Sequence, residues 1–275
     1  VGLPRRLAYY IERETGEEYW DDMWDTTTLP LLLQVAGESR LTGFLEHHIQ
    51  AGARVLEAGC GLGQYVRYFS ERGVDITGVD YAPQAVARHR EAYPDSDVRI
   101  GDVEQLDFPD DSFDVYISIG LIEHYRDGPA ALLTEARRVV KPHGHILLST
   151  PYLNGARLLL ARRFRGQMER VRRRGGVFYQ WAFSAAELDS VLATSGFRVW
   201  DRDLYNVGKG ARMVRSLLTP HDKAIDTRLR AQAGKHAAVD AQPTARSRGH
   251  RALLAHPISL HGFAHMQVVS AENVV

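Results

Sequence analysis

The residues best placed to do chemistry lie in one short run, Glu57-Ala58-Gly59-Cys60-Gly61-Leu62-Gly63-Gln64, directly after an apolar segment. Glycine at 59 and 61 lets the chain turn tightly and lets a ligand approach the backbone, while a helix opening at Gln64 offers unpaired N–H groups. A dinucleotide site would carry its third glycine where Gln64 stands, so that pattern is broken. Glu57 ends the apolar segment, where a carboxylate would oppose a pyrophosphate and suit positive charge. The expected ligand is therefore cationic or zwitterionic. Asp80 stands 21 residues beyond Gly59, placed to accept from ribose hydroxyls, and Tyr81 can lie against an adenine face. Asp102 can accept from an exocyclic amine while Val103 offers its N–H. Cys60, inside the turn, reads as a small filler rather than a nucleophile.

These positions need a scaffold that brings strand ends together. Residues 53–59, 74–80, 97–102, 113–120 and 143–151 read as strands, the last entered through Pro142 and Gly144, and residues 64–73, 83–93 and 129–140 read as helices. Strands alternating with helices of this length imply right-handed crossovers and a parallel, doubly wound sheet. Further on, Ser184-Ala-Ala-Glu187 is a capping box opening another helix, and residues 197–204 and 262–271 read as two more strands. Residues 5–50 read as helices, with Trp20 and Trp24 four apart on one face.

In this order, EAGCGLGQ, GVDYA, GDVEQLDFPDDSFDVYISIGLIEHY and EARRVVKPHGHILLSTP resemble the successive motifs of class I S-adenosylmethionine-dependent methyltransferases, in the small-molecule, methyltransferase type 11-like group. The resemblance covers about 100 residues. It implies a Rossmann-like, seven-stranded α/β sheet of order 3-2-1-4-5-7-6 with the last strand antiparallel. It also implies S-adenosyl-L-methionine as cofactor and S-adenosyl-L-homocysteine as product. By position, Gly59, Gly61 and Gln64 would border the methionine part, with Glu57 and Cys60 beside them. Asp80 and Tyr81 would take the ribose and adenine side, Asp102 and Val103 the adenine, and Ile119, Gly120 and Leu121 would pass under the sulfonium. Trp20 would belong to a lid, similar to the tryptophan-bearing segment of thiopurine-type methyltransferases; core packing against the sheet is the competing account.

The methyl acceptor should enter over the fourth and fifth strands. His124 is the candidate base, since an imidazole titrating near 6.5 suits removal of a proton from a hydroxyl; ordering of the loop by Glu123-His124 is the alternative. Tyr152, Tyr179 and Trp181 are candidate walls for the acceptor, with Tyr125 another. No metal ligand set is expected. Four parts follow: an N-terminal helical lid (1–50), the cofactor core (51–151), a substrate-side arginine-rich insertion (152–183), and the rest of the sheet (184–275) with a helical insertion at about 205–260 that could also serve a homo-oligomer.

Composition bounds the rest. The 275 residues are 44% hydrophobic and 25% charged, which excludes disordered, collagenous and coiled-coil chains. No run approaches the roughly 18 apolar residues of a membrane span, and no signal peptide is legible at the start. One cysteine excludes an internal disulfide and agrees with a cytoplasmic setting. Basic and acidic residues balance at 34 each, yet eight arginines and one acid crowd residues 157–174. That segment reads as a solvated helix face, an anchor for an anionic acceptor, or a contact with lipid or nucleic acid. The expected function is methyl transfer to a hydroxyl or amine of a small metabolite, as in natural product biosynthesis. Nucleic acid is disfavoured by the acidic remainder. RNA or lipid methylation and a non-catalytic cofactor-binding module are the competing readings.

Overall fold

A computed structural model describes residues 5–12, 16–25, 28–209, 212 and 264–274. The chain opens with β1 (Arg6–Ile11) and the helices α1 (Glu17–Asp25), α2 (Leu29–Glu38) and α3 (Arg40–His48). Strands and helices then alternate through β2 (Arg54–Ala58), α4 (Gln64–Ser70), β3 (Asp75–Asp80), α5 (Pro83–Ala92), β4 (Asp97–Ile100) and β5 (Phe113–Ile119). A 3-10 turn at Ile122–His124 leads to α6 (Ala130–Val139) and β6 (Val140–Pro151). Next come α7 (Gly155–Leu159), α8 (Ala161–Arg173), β7 (Val177–Phe183), α9 (Ala185–Thr194), β8 (Phe197–Tyr205) and β9 (Met266–Asn273).

The main sheet has the order β4-β3-β2-β5-β6-β9-β8. The pairs from β4 to β6 are parallel, and β9 runs antiparallel to both β6 and β8. Counted along the sheet's own strands this is 3-2-1-4-5-7-6, as the resemblance implies. The central strands are buried on both faces, successive side chains pointing to opposite cores, while the edge strands β4 and β8 are partly exposed. Leu56, Tyr116, Ile146, Leu148 and Val269 join Leu132, Leu133, Leu188 and Leu192 of α6 and α9 on one side. Val55, Val115, Ile117, Leu147 and Val268 join Leu41, Leu45, Val66 and Phe69 of α3 and α4 on the other. A strand covered on both faces is apolar throughout, which is why β2 and β5 are legible as short continuous runs.

Two expectations are corrected here. The N-terminal segment is not wholly helical: β1 pairs antiparallel with β7 in a separate two-stranded sheet. The alternation in Leu7-Ala8-Tyr9 is that of a strand, but its partner lies more than 160 residues away, and α8 covers it with Phe164 packed 4.7 Å from Tyr9. The fifth sheet strand also starts earlier than expected, at Val140, which pairs with Phe113 across a register shift. Of the insertion expected at 205–260, residues 205–209 and 212 are described. Its expected helices and oligomer contacts lie outside the described residues.

Candidate active site

The carboxyl ends of β2, β3, β5 and β6 open into one cavity of about 590 Å³. The glycine turn between β2 and α4 forms its floor. Gly59 and Cys60 donate their N–H groups to the Val79 carbonyl (2.8 and 3.1 Å), locking the turn to the neighbouring strand. Gly61 donates to Asp80 Oδ2 at 2.7 Å, and Ala82 donates to Asp80 Oδ1 at 2.9 Å. Asp80 thus holds the turn, and a carboxylate oxygen has lone pairs enough to accept ligand hydroxyls as well. At Gly61 φ is +54°, and a Cβ there would stand 2.4 Å from Trp24 Cζ2. Only glycine suits that backbone and lets the tryptophan close on it. A buried histidine, His89 of α5, braces the far side of the turn, its Nδ1 2.8 Å from the Leu62 carbonyl.

Besides Asp80, two further carboxyl groups lining the cavity are buried. Glu57 accepts from Val66 N–H at 3.1 Å and is pushed up to about 8 by desolvation, with the Val66 bond opposing and the Asp80 charge adding to the rise. Glu123, in the turn after β5, is also pushed up to about 8 by burial, and its Oε2 has no hydrogen-bond partner. The Gln64 side-chain oxygen is likewise buried without a partner. A site whose buried acceptors lack donors is completed by a ligand that supplies them. Burial, with the charges of Asp80 and Glu57 adding, raises the Cys60 thiol well above its ordinary value, so it stays protonated.

The cavity gathers most of the residues singled out from the sequence. Trp20, Glu57, Gly59, Cys60, Gln64, Asp80, Tyr81, Asp102, Val103, Ile119, Gly120, Leu121, His124 and Tyr179 all line it. Gly61 lies beneath Trp24 at its edge. Asp102 accepts from Glu104 N–H at 2.9 Å, and Val103 is buried beside it. Both α1 tryptophans form a wall, Trp20 standing edge-on to the His124 ring at 4.8 Å. His124 departs from the expected titration. Burial pulls it down to about 4, the Tyr179 and Gly120 carbonyls opposing in part, so the ring is neutral at physiological pH.

Tyr152 and Trp181 are not brought to this cavity. Tyr152 packs instead against Leu204, Val207 and Ala264. Trp181 donates its Nε1–H to the Arg126 carbonyl at 3.2 Å and lies under the Arg6 guanidinium. For Trp181 the cause is a bulge in β7. Pairing jumps from Tyr9 opposite Gln180 to Tyr10 opposite Phe178, leaving Tyr179 as the extra residue. Alternation breaks there, so Tyr179 packs with Tyr19 and Ala182 while Trp181 packs with the other core. The arginine-rich segment does not reach the cavity either. Its α8 arginines are exposed, and Arg157 is fully buried, holding the Tyr152 carbonyl and His265 Nδ1.

Sequence reasoning did not assign several walls. Leu32, Val35 and Ala36 of α2 and Leu41 of α3 line the cavity, a role hinted at by the apolar run Leu29–Leu33. Glu123, weighed from the sequence only as ordering its loop, and Gln180, Tyr205, Asn206, Lys209, His265 and Met266 also line the cavity. They come from four separate segments, and no local pattern links them. Among the described residues no group of three or more His, Cys, Asp or Glu could hold a metal ion.

Comparison with known proteins points the same way. Residues 56–148 match a family model described as a methyltransferase domain. A protein of Mycolicibacterium smegmatis, described as a probable S-adenosylmethionine-dependent methyltransferase, is 32% identical over 192 residues, covering 63% of this chain and 68% of that protein. The malonyl-[acyl-carrier protein] O-methyltransferase of Serratia marcescens is 41% identical over 113 residues, covering 40% of this chain and 42% of its own length. The chain thus spans less than half of the Serratia protein. The crystal structure of an S-adenosylmethionine-dependent methyltransferase from Methanosarcina mazei superposes with a TM-score of 0.56 at 14% identity, over 84% of this chain and 97% of that one. At that identity the likeness concerns the fold.

Proposed function

Since the chain belongs to the class I S-adenosylmethionine-dependent methyltransferases, we propose that its acceptor is a hydroxyl or amine of a small metabolite, of the kind met in natural product biosynthesis, methylated by direct displacement in the cytoplasm. Bound S-adenosylmethionine supplies a methyl group made electrophilic by the adjacent sulfonium. The residues present fit that cofactor: the buried carboxyl of Glu57 and the unpartnered Gln64 oxygen suit its ammonium, and Asp80 its ribose. Asp102 and the Val103 N–H suit the adenine edge, with Tyr81 and Tyr125 beside it.

One observation carries the choice of a small acceptor. Besides the residues that suit the cofactor, the same cavity is lined by Leu32, Val35, Tyr179, Tyr205 and Met266, and its volume of about 590 Å³ falls within the range of small-molecule sites. Enclosure there aligns the acceptor with the methyl group and keeps water out, and alignment alone supplies much of the rate in such a displacement. His124 Nδ1 lies 2.8 Å from the Tyr179 carbonyl. A carbonyl only accepts, so Nδ1 bears the proton and Nε2 keeps its lone pair. A base held near 4 draws little proton from a free hydroxyl. His124 therefore orients the acceptor hydroxyl and takes its proton late, once methyl transfer has made that proton acidic. Support for an oxygen acceptor comes from the Serratia relative, which is by name an O-methyltransferase.

The test is release of S-adenosylhomocysteine with a panel of phenols, hydroxy acids and amines, using the wild type and His124→Gln. Turnover with a member of the panel and a 10- to 1,000-fold lower kcat in the variant, at unchanged cofactor affinity, is the expected result. Cofactor binding without turnover on any small molecule, together with methylation of RNA, would refute it.

A further inference from the structure

Helix α8 presents a surface that methyl transfer does not use. Ala161, Phe164 and Met168 turn inward onto the β1–β7 sheet, and the solvent side carries Arg162, Arg163, Arg165, Arg170, Arg172 and Arg173, with Arg174 following at the helix end. The one acid in this stretch, Glu169, pairs with Arg172 and Arg173 at 2.8 and 2.9 Å and is held down at about 2 by them. Arg162, Arg163, Arg165 and Arg174 form no ion pair among the described residues. The segment 162–174 thus holds seven arginines and one acid, leaving 27 basic and 33 acidic residues in the remainder of the chain. At the corner where α7 meets α8, Leu159 is 86% exposed, more than any other large hydrophobic residue described.

We propose that α8, with Leu159 at its leading end, docks this protein on an anionic phospholipid surface. A basic face on an acidic body orients the molecule in the field of such a surface, arginines toward the headgroups and acids away. Apolar insertion supplies the second signal that stable anchoring of a peripheral protein needs, and Leu159 is a side chain without apolar cover placed beside the charge. Nucleic acid fits less well. Phe164, the aromatic of the helix, is buried, so the exposed face offers no ring for a base to stack on. The docking lobe also bears on the active site, because Trp20 and Tyr179, walls of the cavity, pack in the same apolar cluster as Phe164 and Met168.

The experiment is co-sedimentation of the full chain with phosphatidylcholine vesicles and with vesicles containing about 30% phosphatidylglycerol, at low and high salt. Binding should need the anionic lipid and should fall steeply between 50 and 500 mM salt, roughly one Debye length against another. At roughly fivefold per arginine, the combined Arg162→Gln, Arg163→Gln, Arg165→Gln and Arg174→Gln variant should bind several hundredfold more weakly. Leu159→Ser should weaken binding on the order of fivefold with its salt dependence retained. Both variants should bind S-adenosylhomocysteine like the wild type, which shows that they fold. Equal binding to both vesicle types, an unaffected quadruple variant, or tighter binding to duplex RNA than to anionic vesicles at the same salt would overturn the proposal.

Discussion

Glu57 should take up a proton in the unliganded enzyme and give it up when cofactor binds. Raising its carboxyl from 4.5 to about 8 disfavours the ionised form by about 5 kcal/mol, an order-of-magnitude figure for a group only 2% exposed. At pH 7 such a group is about 90% protonated, so a ligand whose cation restores the carboxylate should expel about 0.9 proton per site, and only about 0.1 at pH 9. Affinity should then rise from pH 5 toward 8. It should level off there, where an α-amino group on the ligand starts to lose its own proton near 7.7–8.0. Titration calorimetry of S-adenosylhomocysteine in two buffers of different ionisation enthalpy reads the proton count directly. Glu57→Gln should abolish this release, and any part that persists belongs to Glu123. The unliganded fold responds as well. Because the folded value lies above the unfolded one, the unfolded chain releases this proton first, and stability falls as pH rises from 4.5 to 8. Glu57→Gln should remove that decline, by about 3 kcal/mol at pH 7. Heats of binding that do not depend on buffer at pH 7, or a proton count unchanged in Glu57→Gln, would refute the reasoning.

Three further outcomes follow from the same geometry. Gly61→Ala forces a Cβ onto a left-handed backbone and into Trp24, so unfolding should show a loss of about 1–3 kcal/mol together with weaker cofactor binding; an unchanged melt and affinity would contradict the packing described. Asp80→Asn removes the charge that receives Gly61 N–H and Ala82 N–H, and equilibrium binding of S-adenosylhomocysteine should weaken about 10- to 100-fold; retained affinity would move the ribose elsewhere. Direct displacement from a sulfonium needs no Lewis acid, so turnover on the identified acceptor should survive EDTA, and a loss restored by magnesium would count against this mechanism.

The gathering of the glycine turn, Asp80 and Asp102 at one cavity was legible in the sequence because local rules dictate it. Glycines 59 and 61, Asp80 and Asp102 each stand at or just beyond the carboxyl end of a parallel strand, and a parallel sheet places such ends side by side whatever the loops between them do. Spacing along the chain therefore translated directly into position. The acceptor end follows no such rule. Tyr152 and Trp181 looked as suitable as Tyr179, yet one bulge at Tyr179 reverses the alternation and sends Trp181 to the other face. That bulge exists only because β7 pairs with β1, a contact between segments too distant for any local pattern to show. Tertiary structure likewise separated Arg157, buried among carbonyls, from its neighbours on α8, although all read as one basic run. It also set the titration of the ionisable groups lining the cavity. Residue type predicts an imidazole near 6.5 and carboxyls near 4.5, but the surroundings decide how much water each retains. Burial moved His124 down to about 4 and Glu57 and Glu123 up to about 8, since the protein interior disfavours whichever form is charged.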